Sequence, residues 1–159
     1  MTDPAILSQV DALQMSYLAA LDRRDLDAWL NCFAEEASYT CITRENHDAD
    51  LPVALMLDDC YARLKDRVKF INEVWSGTFE DYATRHFAQR LDCTQSAAGR
   101  LAVVTNFMVA YTNRRGASEI LATGVYEDDV SLANGVAKFR AKRAILDTVT
   151  TPRYLVYPI

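Results

Sequence analysis

The chain has 159 residues, half of them hydrophobic, with five glycines, four prolines and a formal net charge of −5. That length suits one domain spanning 1–159, and a domain of this size buries roughly 68–70% of its unfolded surface, enough for a genuine core. The low Gly and Pro content excludes collagen-like and linker-rich chains, and the scattered, net-acidic charge leaves no footprint for nucleic acid or an anionic membrane surface.

The first third is helical by period. Ile6, Leu7, Val10, Leu13, Tyr17, Leu18 and Leu21 fall on one stripe of a 3.6-residue helix, and Asp3-Pro4 supplies an N-cap acceptor followed by a residue with preset φ. Asp22-Arg23-Arg24-Asp25 interrupts the stripe, and a short second helix carries Leu26, Trp29, Leu30 and Phe33, with Asp25 as its cap. Ser38 to Arg44 is rich in β-formers and reads as a first strand. Glu45 to Pro52 is polar and closed by proline, hence a loop. Leu57, Tyr61, Leu64, Val68 and Ile71 then mark a third helix, although Val53–Leu57 reads equally well as a short strand.

From Tyr82 the period changes to two. One set, Ala83, Arg85, Phe87, Gln89 and Leu91, alternates with Tyr82, Thr84, His86, Ala88 and Arg90. A second strand runs from Leu101 to Asn113 and turns at Arg114-Arg115-Gly116, and a third covers Ser118 to Val130. Asn134-Gly135 is a strong hairpin signal before a last strand from Val136 to about Thr148. Helices followed by four meandering strands predict an α+β fold with helices on one face of an antiparallel sheet. Along the second strand, Val103, Phe107, Val109 and Tyr111 share one side while Val104, Met108 and Ala110 share the other. A sheet with one face under helices is expected to be polar on the other, so apolar residues on both predict a subunit interface, with Phe107 and Tyr111 as candidate contacts.

The chemistry is defined first by what the spacing lacks. The two histidines, His47 and His86, lie far apart, and no cysteine stands within three residues of either. Neither the paired Cys/His spacing of a Rieske cluster nor a two-His-one-carboxylate iron set is legible. With so few glycines, no phosphate-cradling loop or dinucleotide fingerprint is possible, and there is no nucleophile elbow. Cys32, Cys41, Cys60 and Cys93 stand apart, and a core of this size needs no disulfide, so reduced thiols are expected. No apolar run approaches the ~18 residues of a membrane span, and Met1-Thr2-Asp3-Pro4 lacks the order of a secretory leader, so a cytoplasmic chain is expected. An acid–base pocket between helices and sheet stays open as an alternative: Tyr17, Tyr39, His86 and Tyr126 stand on elements that could face it. The competing reading makes them core residues, with His86 held by neighbours such as Arg85. Asp58-Asp59 would cap or charge the start of the third helix, or meet a partner chain.

The order of segments resembles the small (β) subunits of Rieske-type aromatic-ring-hydroxylating dioxygenases. The resemblance is carried by Tyr17 through Phe33 with Asp22, Asp25 and Trp29, then Tyr39, by Asp66-Arg67-Val68, by Thr84-Arg85-His86, and by Phe139 through Asp147 with the closing segment Arg153–Ile159. Glu45-Asn46-His47-Asp48, with Leu51-Pro52 and Leu55, looks most like members that accompany oxygenases of aromatic carboxylates. The resemblance implies a cystatin-like, NTF2-like cone, with three N-terminal helices packed on a curved antiparallel sheet. It also implies a largely architectural subunit that self-associates as a trimer beneath an α (large) subunit in an α3β3 hexamer. No cofactor is expected in this chain; the Rieske [2Fe–2S] cluster and the mononuclear Fe(II) would belong to the α subunit. The alternative from the same superfamily is a stand-alone isomerase, dehydratase or cyclase with a deep pocket in the cone.

Overall fold

A computed structural model describes residues 2–96 and 98–159. Helix α1 spans Pro4–Arg23, and the Asp3 carboxylate accepts from the Ala5 amide at 2.8 Å at its start. It stops where Arg24 turns left-handed at φ 60° and its amide bonds back to Ala20 and Leu21, so the charged tetrapeptide at 22–25 is a true break. Asp25 then caps α2, Leu26–Leu30, by accepting from the Ala28 amide at 2.9 Å. Phe33 is not part of that helix. Strand β1 already begins there and runs Phe33–Thr43, longer than its β-formers suggest.

The expected polar loop contains a short helix instead. Thr43 caps α3, Arg44–Asp48, and the chain passes through β2, Met56–Asp58, into α4, Tyr61–Phe70. Leu57 thus lies on a strand, which settles the ambiguity at 53–57, and α4 runs on through a π-helical turn, Ile71–Trp75. The four long strands are β3, Ala83–Gln95; β4, Leu101–Thr112; β5, Ser118–Ala133; and β6, Val136–Leu146. Asn134 and Gly135 both have positive φ, as a two-residue hairpin turn matching the strand twist requires.

The strands form one sheet in the order β2-β1-β6-β5-β4-β3. The meander from β3 to β6 is antiparallel as expected, whereas β1 pairs parallel to β6, with Tyr39 opposite Lys142 and Cys41 opposite Ala144. Helix α1 lies across β3 and β6 on the concave face, and the core fills the space between. Phe107 and Tyr111 point into this core, 4% and 5% exposed, rather than outward to a partner. The convex face carries Phe87 and Ile120, both more than half exposed, beside partly buried Val104, Met108 and Val125.

At Gly124 the sheet leaves no room for a side chain. A Cβ there would meet the Ile145 carbonyl oxygen at 2.0 Å and the Phe107 ring at 3.0 Å. Gly124→Ala is expected to cost about 1–3 kcal/mol through forced displacement of the β5–β6 ladder. A urea unfolding curve indistinguishable from the parent would contradict that packing.

Candidate functional site

The interior of the cone gathers the polar groups. Asp22, on the last turn of α1, reaches the outer strand β3, where its carboxylate accepts from Thr84 Oγ1 at 3.0 Å, the His86 amide at 3.1 Å and His86 Nδ1 at 2.6 Å. One side chain therefore meets a backbone amide and one ring nitrogen of β3, the last strand in the sheet order. Burial works against the Asp22 charge, but the hydrogen bonds and charge of His86 and the Thr84 hydroxyl outweigh it, leaving the carboxyl below its ordinary value. Stability from this group is present at neutral pH and is lost as pH falls through that lowered value. Asp22, not Arg85, holds the histidine. Arg85 points to the other face, is exposed, and donates to the Thr84 carbonyl at 2.7 Å. The His86 side chain is 2% exposed, and its Nε2 has no hydrogen-bond partner among the described residues.

Residues beyond Leu146 form no regular element and return across the mouth of the cone. Tyr17 Oη donates to the Ile159 main-chain oxygen at 2.7 Å, and Tyr39 Oη to the same atom at 3.1 Å, while the Ile159 amide donates to Tyr39 Oη at 2.9 Å. The Arg24 guanidinium lies 3.7 Å from the Tyr157 ring centre and also bonds the Tyr82 carbonyl. Burial pushes both the Tyr17 and Tyr39 hydroxyls well above their ordinary value, so they act as donors at any physiological pH. What remains empty between His86, Leu21, Val109 and Ile159 is about 10 Å³. That is room for about one water molecule. The deep pocket expected under the stand-alone enzyme alternative is thus filled by the chain's own last residues, since small-molecule sites measure ~300–1,000 Å³.

A third polar group lies deeper and has no counterpart in the sequence reading. Lys142 is fully buried, with Nζ 3.0 and 3.2 Å from the Asp128 oxygens and 3.2 Å from Gln14 Oε1. The rings of Tyr126, Tyr17 and Phe139 surround the ammonium at 3.8, 4.4 and 4.4 Å. Burial raises Asp128 to about 6 against the pull of Lys142, and lowers Lys142 against the pull of Asp128. Simple alternation along β6 puts Lys142 and Phe139 on opposite faces. A bulge at Arg140 reverses the faces, because Val130 pairs with Phe139 while the next residue of β5, Asp129, pairs with Ala141.

The remaining candidates separate. Tyr17, Tyr39, His86 and Tyr126 do converge on the interior. Asn46, His47 and Asp48 sit on surface helix α3, where Asn46 Nδ2 donates to the Val53 carbonyl at 3.0 Å and pins the following loop. Asp58 lies on β2 and is paired with Arg67 of α4 through two hydrogen bonds, one of 3.0 Å, so it ties strand to helix rather than capping. Cys60 takes the cap position, and Asp59 pairs with Arg63. All four cysteines are free; burial raises Cys32 to about 11 and Cys41 to about 12. Among the described residues no three His, Cys, Asp or Glu side chains converge as metal ligands. His47 lies on the surface and His86 is committed to Asp22, so the residues of this chain do not fit either iron group that the resemblance implies. Among the described residues no helix is long and apolar enough to cross a membrane.

A protein-family profile, the ring hydroxylating beta subunit, matches residues 18–153. The chain belongs to that family. This β-subunit sequence is 28% identical over 151 residues to the anthranilate 1,2-dioxygenase small subunit of Burkholderia cepacia, covering 95% of this chain and 92% of the relative. It is 25% identical over 156 residues to a terephthalate 1,2-dioxygenase terminal oxygenase β subunit of a Comamonas species, covering 95% and 97%. A solved chain described as the β subunit of an aromatic-ring-hydroxylating dioxygenase from Novosphingobium aromaticivorans superposes with a TM-score of 0.82 at 27% identity, covering 93% of this β subunit and 94% of that chain.

Proposed function

We propose that this β subunit is the structural, non-catalytic small subunit of the terminal oxygenase of an aromatic-ring-hydroxylating dioxygenase. The single observation that carries the reading is the family match over residues 18–153. In this reading the Rieske cluster and the mononuclear iron sit in a separate α subunit. The two relatives named for anthranilate and terephthalate, both aromatic carboxylates, favour a substrate of that class.

Phe87 and Ile120 are 55% and 54% exposed on a sheet face that no helix of the described residues covers, which favours contact with a second copy of the chain; the trimer of β subunits within an α3β3 hexamer is what the family resemblance implies. The Asn46-His47-Asp48 helix, half-buried at Asn46 and His47 and exposed at Asp48, is then placed to meet the α subunit. Co-expression with the cognate large subunit is expected to yield a hexamer containing iron; a stable monomer that never joins an iron–sulfur protein would defeat the reading. Phe87→Lys is expected to weaken self-association about 30-fold or more, as loss of an interface anchor worth about 2 kcal/mol does. Sedimentation equilibrium reads this, and the melting temperature of the dissociated chain should stay unchanged.

A further inference from the structure

A groove at the mouth of the cone carries apolar surface that the chain itself does not cover. It measures about 650 Å³ and is lined by Leu55 of the loop before β2, by Tyr111, and by Thr151 to Leu155 of the closing segment. Both of its sides are held in place. The Leu55 amide donates to the Cys41 carbonyl at 2.8 Å, and Asn46 Nδ2 ties the same loop to α3 through the Val53 carbonyl. Tyr82 Oη donates to the Tyr154 carbonyl at 3.2 Å, and Arg153 Nη2 to the Glu80 carboxylate at 3.2 Å. Yet Val53, Leu55, Val149 and Tyr154 stay 60%, 53%, 73% and 78% exposed. Single exposed apolar side chains are ordinary, but a cluster of them about a fixed groove marks a contact surface.

The charges beside this groove and beside the convex patch are opposite in sign. Glu45, Asp48 and Asp50, on α3 and just after it, are exposed, and none forms an ion pair among the described residues. On the convex side, Arg85 stands in register with Ala110 and Ile120 across β3, β4 and β5, and Phe87 stands opposite Met108 in the next row. The Arg114-Arg115 turn closes the same end of the β4–β5 hairpin. These three arginines are also exposed and without an ion pair among the described residues. Two convex patches face to face would bring arginines together, and two grooves would bring carboxylates together. Only convex patch against groove sets opposite charges across the contact.

We propose that the groove receives the convex patch of a second copy of this chain, with Phe87 and Ile120 seated against Leu55 and Tyr154 and the arginines facing the carboxylates. This contact rests on the self-association proposed above and names the surface that receives it. It is head-to-tail: each copy offers its convex patch to one neighbour and its groove to another, as a closed ring requires. Helix α3 then stands where this contact and the one with the α subunit meet.

Tyr154→Lys tests the contact in the full chain by sedimentation equilibrium. It is expected to weaken self-association about 30-fold, as loss of an interface anchor does, with an unchanged melting temperature. Val53→Lys is read in the same way if Tyr154→Lys does not fold. Phe87→Lys keeps its groove and Tyr154→Lys keeps its convex patch, so an equimolar mixture should form dimers and nothing larger where each alone is monomeric. Arg85→Glu should weaken association too, and adding Glu45→Lys and Asp48→Lys to that chain should restore part of it. Tyr154→Lys and Val53→Lys chains that associate like the parent would overturn the proposal and leave self-association through the convex face standing. If those chains then fail to recover the large subunit on co-expression, the groove belongs to that subunit instead. A mixture no more associated than either variant alone would overturn the head-to-tail contact. A parent chain monomeric at every concentration would overturn self-association as well, whereas recovery of an iron-containing complex reads the α-subunit assignment separately.

Discussion

Asp128→Ala is expected to destabilise this protein by about 3–5 kcal/mol, because it leaves the Lys142 ammonium buried without its anion. The pair is closed on every side: Asp128 and Lys142 are 5% and 1% exposed, and three aromatic rings and Gln14 complete the enclosure. Against a domain stability of ~5–15 kcal/mol, that loss is a large fraction of the total. Replacing both partners, Lys142→Met with Asp128→Leu, should come out neutral or up to about 4 kcal/mol more stable, since the desolvation of both charges disappears together. Urea midpoints of the three proteins at neutral pH check the contrast, and a single variant as stable as the parent would show that the pair is not the buried ion pair described.

The pH dependence carries its own sign. Asp128 titrates near 6 in the folded chain, above its ordinary value. Between that value and the unfolded one near ~3.9, the folded state binds a proton that the unfolded chain does not. Stability from this group therefore grows as pH falls through 6, and is lost as pH rises through it. The stability difference between the parent and Asp128→Asn should widen in favour of the parent from pH 7 to pH 4. The Asp22 contribution runs the other way and is lost only at lower pH, because His86 and Thr84 hold that carboxyl down.

The second large effect belongs to Phe107→Ala, expected to cost about 3–5 kcal/mol of stability. Phe107 stacks on Tyr126 with centroids 4.2 Å apart and planes 18° from parallel, in space that Gly124 keeps open. Its loss creates a cavity on the concave face, so the melting temperature should fall while self-association per folded chain stays unchanged. Phe87→Lys should show the opposite pattern. A Phe107→Ala protein that melts normally but fails to associate would place the interface on the concave side.

The contrast between Phe107 and Phe87 shows where sequence alone reaches its limit. Alternation established that β4 has two apolar faces, because side chains point to opposite sides with a period of two. It could not say which face the helices cover, since that depends on how α1 crosses the sheet. The long helix with its Asp3-Pro4 start, the break at 22–25, the Asn134-Gly135 turn and the four meandering strands were all legible, because each is set by local periodicity, capping or turn chemistry. The short helix α3 and the parallel pairing of β1 with β6 were not, for a tertiary partner decides each.

The candidate site divides along the same line. Residue types and order singled out Tyr17, Tyr39, Tyr126 and His86, and the absence of any legible ligand spacing argued against an iron site in this chain. Only the tertiary structure showed that Asp22 rather than Arg85 orients His86, that a bulge at Arg140 turns Lys142 inward, and that Ile159 fills the cavity. Those three outcomes join residues 64, 14 and 142 positions apart, and no periodic signal reaches across such separations. Side-chain pattern along a strand or helix reports which way a residue points relative to its neighbours; what it meets there is fixed by chain segments that come together only when the whole core closes.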